Sequence, residues 1–251
     1  MLATLIVAIV VGGVLQRVTG LGFAMVAGPF VVLALGPHQG VLLVNLMGAT
    51  SSALILSRVL RDVDWRRFAV MALASVCTTV PGAWLLRDAT TSALEVTVGV
   101  VVITGMTVSL LAHRLRAGRR WWREGALWPA AVGGSLSGVG SVAAGIGGPP
   151  LAAYAVLDGW DPRRFAATLQ PFFVVNATGA ASAKLLLTDA SLPALEWWAW
   201  LVLAAAVVCA VAIGDVAARH VSRTATRRVL VVLAYAGGLA TLTRGVGLLP
   251  G

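Results

Sequence analysis

Ten apolar stretches, broken by arginine clusters or by glycine and proline, run the length of this chain, and no soluble core could absorb them. They fall at 2–15, 21–36, 39–57, 68–86, 92–112, 125–137, 145–157, 165–187, 197–218 and 229–249. Hydrophobic residues fill 59% of the 251 positions and charged residues 12%, and the mean hydropathy is +0.90. Such a chain must turn most of its side chains toward lipid, so it is expected to be an all-α polytopic membrane protein. The first stretch lacks a basic leader and is expected to stay in the mature fold.

Six stretches reach the roughly 17–25 residues that cross a hydrocarbon core. The two pairs around residues 16–22 and 137–148 are shorter, about 20–24 Å each at 1.5 Å per residue. Each pair is therefore expected to be two short helices or a hairpin that enters the bilayer and turns back.

Arginine sets the expected topology. Fifteen of the nineteen basic residues lie in four clusters: Arg58, Arg61, Arg66 and Arg67; Arg114, Arg116, Arg119, Arg120 and Arg123; Arg163 and Arg164; Arg219, Arg223, Arg227 and Arg228. Cytoplasmic loops retain such clusters. Assigning them inward puts both termini outside a cytoplasmic membrane, and gives residues 125–251 the opposite orientation to residues 1–113, with 114–124 as a basic cytoplasmic linker.

The two parts also resemble each other. A shift of 125 positions lays Gly20-Leu21-Gly22 on Gly145-Ile146-Gly147, Asn45 on Gln170 and Ser51 on Asn176; a shift of 132 lays Cys77 on Cys209 and Gly82 on Gly214. Two similar halves of about five transmembrane or half-membrane helices each, an odd number, make an inverted repeat, an architecture common among secondary transporters.

Residues 133–150 hold the densest glycine run, and residues 12–29 a weaker counterpart. Irregular backbone at membrane depth survives only when protein covers it or it lines a polar cavity. A helix starting near Gly148, with Pro149 and Pro150 in its first turn, would aim free N–H groups at the break, which suits an oxyanion. Gly145, Gly147 and Gly148, with Ser137 and Ser141 as neutral donors, are one side of this candidate site. Gln16, Arg17, Thr19, Gly20 and Gly22 are the other. Small residues also serve close helix crossing, so packing is the competing explanation. Arg17 has two readings, a fixed charge beside the substrate path or a positive-inside anchor. Asn45, Ser51, Gln170 and Asn176 either line the same cavity or hydrogen-bond between helices.

Several functions are disfavoured. The basic charge of +9 sits in loops between spans, which argues against nucleic-acid binding. Cys77 and Cys209 have no metal-ligand spacing, and neither a metal nor another cofactor is expected. No carboxylate falls at mid-span; His38, at the edge of a break, is the remaining candidate for proton coupling. Ser/His/Asp, HExxH and P-loop patterns are lacking, so the protein is not expected to be an enzyme.

At these residues the chain resembles the sulfite exporter TauE/SafE family of membrane permeases. Gly138, Gly145-Ile146-Gly147-Gly148 and Pro150 are similar to the family's second glycine signature. Gln16, Thr19-Gly20-Leu21-Gly22-Phe23-Ala24 and Pro29 are similar to the first. The chain departs where Arg17 replaces a small residue and Pro149 a third glycine. The resemblance implies a secondary transporter exporting sulfite or an organosulfonate by alternating access, with proton coupling as a family-level expectation. A carrier for another small carboxylate or oxyanion, an anion-selective channel and a non-transporting scaffold are the alternatives. The expected partners are a small anion and lipid, with a homodimer allowed.

Overall fold

A computed structural model describes residues 1–115, 122–123, 125–188 and 190–248. Among these residues the regular structure is helical: α1 (Leu2–Thr19), α2 (Phe23–Val59), α3 (Trp65–Leu85), α4 (Thr91–Leu115), α5 (Trp128–Ala144), α6 (Gly148–Asp158), α7 (Pro162–Leu187), α8 (Trp197–His220) and α9 (Arg223–Gly245). A single 3₁₀ turn, Leu60–Asp62, follows α2. Most of the basic linker, including Arg116, Arg119 and Arg120, lies outside the described residues.

Six helices, α1, α2, α3, α4, α8 and α9, are long and apolar enough to cross a membrane. Their outward faces say the same. On α3, Leu73, Val76, Val80 and Trp84 are exposed at helical spacing, an apolar stripe that water would not tolerate. Inside the bundle polar side chains gather: Gln16, Asn45, Ser51, Ser75, Ser137, Gln170 and Asn176 are all buried. The chain is thus a multi-pass membrane protein with a polar centre.

Helix lengths differ from expectation at three places. The hydrogen-bonded run of α2 has 37 residues, about 55 Å and far more than one crossing needs. It is broken by Gly36 at φ 78°, ψ 166°, which separates a first arm (23–35) from a second (37–59). α1, expected to be short, has 18 residues and is itself long enough to span. α5 continues as helix through the glycine- and serine-rich run to Ala144, so the break is confined to residues 145–147. Those glycines sit on a helix face because they pack.

The packing is reciprocal. α1 lies along α8 and α5 along α3, while α4 pairs with α9 and the second arm of α2 with α7. A Cβ at Gly13 would come within 2.6 Å of Ala210 Cβ, and one at Gly138 within 2.4 Å of Ser75 O and 2.5 Å of Thr78 Oγ1. Both contacts are closer than any side chain allows, so glycine brings each backbone pair together. α7 runs through the middle of this arrangement and carries buried Gln170, Asn176 and Lys184.

Candidate functional site

Two helix breaks meet at the centre. α1 ends at Gly20, left-handed at φ 81°, whose N–H returns to Gln16 O at 2.7 Å; α5 ends at Gly145, left-handed at φ 72°, whose N–H returns to Ser141 O at 2.9 Å. Only glycine adopts this cap cheaply. Two residues later, Gly22 caps the first arm of α2 and Gly147 caps α6. Pro149 and Pro150 occupy the first turn of α6, where a missing N–H costs nothing. Two helix N-termini thereby converge, each the positive end of its helix; that of α2 presents free N–H groups, while the prolines of α6 leave few beyond those of Gly147 and Gly148.

They open on a cavity of about 40 Å³, room for a few waters or one small ion. The side chains of Gln16, Asn45, Ser52, Ser141 and Asn176 face it, with backbone from Gly22, Gly145, Gly147 and Gly148, and Phe23, Val44 and Phe173 form apolar walls. Among the described residues, none that lines it is charged. The electrostatics of the site therefore come from helix ends and neutral side-chain dipoles.

A hydrogen-bond frame fixes these groups. Ser75 Oγ donates to Asn176 Oδ1 at 2.6 Å, and Asn176 Nδ2 donates to Ser141 Oγ at 2.6 Å, joining α3, α7 and α5. Ser137 Oγ holds Gly147 O at 2.6 Å. Asn45 Nδ2 donates to Ser141 O at 3.1 Å and to Val41 O at 3.0 Å; Gln170 Nε2 donates to Gly20 O at 3.2 Å and Ala166 O at 2.7 Å. Each amide thus latches its own helix to the C-terminal end of the opposite short helix. Gln16 Nε2 donates to Ser52 Oγ at 2.8 Å, while its Oε1 is buried without a partner.

The structure gathers the expected site residues unevenly. Gln16, Gly22, Asn45, Ser141, Gly145, Gly147, Gly148 and Asn176 line the cavity. Gly20, Ser137 and Gln170 support it from behind. Thr19 Oγ1 bonds Leu15 O and Leu21 O within its own turn. Ser51 is buried, but its hydroxyl has no partner. His38 follows the Gly36 kink and is not among the lining residues.

Arg17 points elsewhere. Its Nε meets Asp215 Oδ1 at 2.5 Å, and Arg58 holds the other oxygen of the same carboxylate. Its side chain joins α1 to α8, and the neighbouring residue Gln16 enters the cavity instead.

Sequence reasoning passed over Ser52, Ser75, Phe173 and Lys184. The serines look like ordinary small span residues. Lys184, however, carried a signal: it is the only lysine in a chain whose other basic residues are all arginine.

A multi-pass helical bundle with glycine-broken helices around a buried neutral polar cavity has the form of a membrane permease. The chain matches the sulfite exporter TauE/SafE family over residues 5–241, and it belongs to that family. No curated protein and no solved structure matches it.

Proposed function

We propose that this permease carries a small oxyanion, sulfite or an organosulfonate, outward across the cytoplasmic membrane, with the central cavity as its binding site. The observation that supports this most is the convergence of two helix N-termini on one cavity whose lining residues are uncharged. Dipoles and neutral donors hold an anion while leaving it free to depart, whereas a fixed arginine at 3 Å would hold it too tightly. A half-turn of the Gln16 amide would let its oxygen accept from Ser52 and offer its free N–H₂ to the anion.

Alternating access fits the same arrangement. In our reading residues 1–113 and 125–251 are inverted repeats that rock about the two glycine breaks. The reciprocal packing supports it: the shift of 125 carries Gly13 to Gly138, and the shift of 132 carries Thr78 to Ala210, so the two close contacts exchange partners. Likewise a Cβ at Gly105 would strike Pro149 and one at Gly237 would strike Pro29, both at 2.7 Å. With the arginine clusters inside, both termini face outward.

Flux of radiolabelled sulfite into proteoliposomes tests the reading. A carrier gives saturable uptake with counterflow. Unsaturable current, or no flux for sulfite, organosulfonates and small carboxylates alike, would overturn it.

A further inference from the structure

Lys184 lies in the last turn of α7, two turns beyond Asn176, and is 2% exposed. An apolar cluster adjoins it: Ala83, Val142, Ala180 and Ala183 are buried together with Leu86 against them, and Val142 is the residue that Lys184 bonds. Its Nζ donates to Val142 O at 3.3 Å, a last-turn carbonyl at the negative end of α5. An ammonium has three donors, and this acceptor takes one of them. Among the described residues no carboxylate pairs with it; a buried cation so placed is costly, and an anion in transit would supply the counter-charge.

The surroundings define a route. Along α7, Asn176 lines the central cavity, Lys184 follows, and Thr188 lines a surface depression of about 280 Å³ shared with Arg87 and Asp88. Thr188 Oγ1 donates to Lys184 O at 2.7 Å, so the depression begins one turn along α7 from the Lys184 backbone. Arg87 pairs with Asp88 at 3.0 Å and stacks over Trp84.

The inner end of the bundle is built differently at the corresponding place. The shift of 125 carries Arg17 to Val142, and the shift of 132 carries Ala83 to Asp215. Where the inner end has Arg17, Arg58 and Asp215 in mutual contact, the outer end has Val142 and Ala83 around a buried lysine. The two inner arginines share one carboxylate. Among the described residues, Lys184 has none.

We propose that Lys184 is an anion-binding subsite on the outward route, occupied by the oxyanion between the central cavity and the depression beside Arg87. The subsite rests on the anion-carrier reading above. When the α5–α6 break moves, the ammonium exchanges Val142 O for the oxyanion, and release to the depression returns it.

The test uses sulfite flux in proteoliposomes and a background in which Cys77 and Cys209 are replaced by alanine. Lys184→Met is expected to raise the half-saturating sulfite concentration about tenfold, the scale of one charge-assisted hydrogen bond; Lys184→Arg should stay within about threefold of the parent. Lys184→Cys should lose flux in the same way and recover it when methanethiosulfonate ethylammonium restores a lysine-like ammonium. The neutral methyl reagent should not restore it. This comparison is made within one folded sample, so it holds even if Lys184→Met fails to fold.

Unchanged kinetics in Lys184→Met, equal rescue by the neutral reagent, or no labelling of Lys184→Cys during sulfite turnover would each overturn the subsite alone. Absence of anion flux in the parent would overturn the carrier reading and the subsite with it.

Discussion

Asn176 donates its side-chain amide to Ser141 Oγ at 2.6 Å and accepts from Ser75 at the same distance, so one residue of α7 ties the α5 break to α3. Asn176→Ala would leave two buried hydroxyls without this partner, at a cost of about 1–3 kcal/mol, read as a lower melting temperature in detergent. Asn176→Asp places a carboxylate at a buried position whose cavity has no charged lining residue. It should lower the melting temperature as well, and the negative charge at the cavity should reduce sulfite flux at least tenfold, about 1.4 kcal/mol or more.

Gly147 is the narrowest point of the second break. A Cβ there would lie 2.4 Å from Ser137 Oγ and 2.7 Å from both Asn176 Nδ2 and Ser141 Oγ. Gly147→Ala is therefore expected to abolish sulfite-induced thermal stabilisation while the protein still inserts and elutes as a single species. Retained stabilisation at unchanged affinity would show that this backbone does not approach the anion.

The two helix caps should differ in tolerance. Both are left-handed, which costs a non-glycine residue about 1–2 kcal/mol. At Gly20 an added Cβ would also sit 2.4 Å from Ala166 Cβ and 2.9 Å from its Cα, whereas at Gly145 the nearest atom, Val44 Cγ1, is 3.2 Å away. Gly20→Ala should be the more destabilising in a melting experiment. The reverse order would contradict the close approach of Gly20 to Ala166 of α7.

Arg17→Gln should leave sulfite affinity within about twofold, a change of less than half a kcal/mol, because Arg58 continues to satisfy Asp215. Asp215→Asn leaves two arginines without their carboxylate. It should lower thermal stability more than Arg17→Gln does, and a large affinity loss in Arg17→Gln would return that arginine to the substrate path.

Much of the helical layout was legible before any coordinates. Among the described residues the ten apolar stretches appear as nine helices, two stretches being merged across the Gly36 kink, because apolar length and glycine or proline breaks are local properties. The breaks around Gly20 and Gly145 were legible for the same reason. Helix length through the 133–144 run was not, since glycines that loosen an isolated chain become a packing face once α3 lies against them.

Within the site, the limit falls between residue type and residue direction. Gln16 and Arg17 are adjacent and both polar, yet one enters the cavity and the other reaches Asp215, 198 positions away. Lys184 could be singled out as the only lysine, but not as a cation in an apolar box beside Val142.

By itself the sequence determined that this chain lives in a membrane, where its helices break and which family it joins, because hydropathy and backbone permissiveness act over a few residues. The tertiary structure alone decided which polar groups share the cavity and which cations are already paired. Those outcomes depend on the rotation of each helix against partners distant in sequence, and a helix's rotation is set by the faces it packs on.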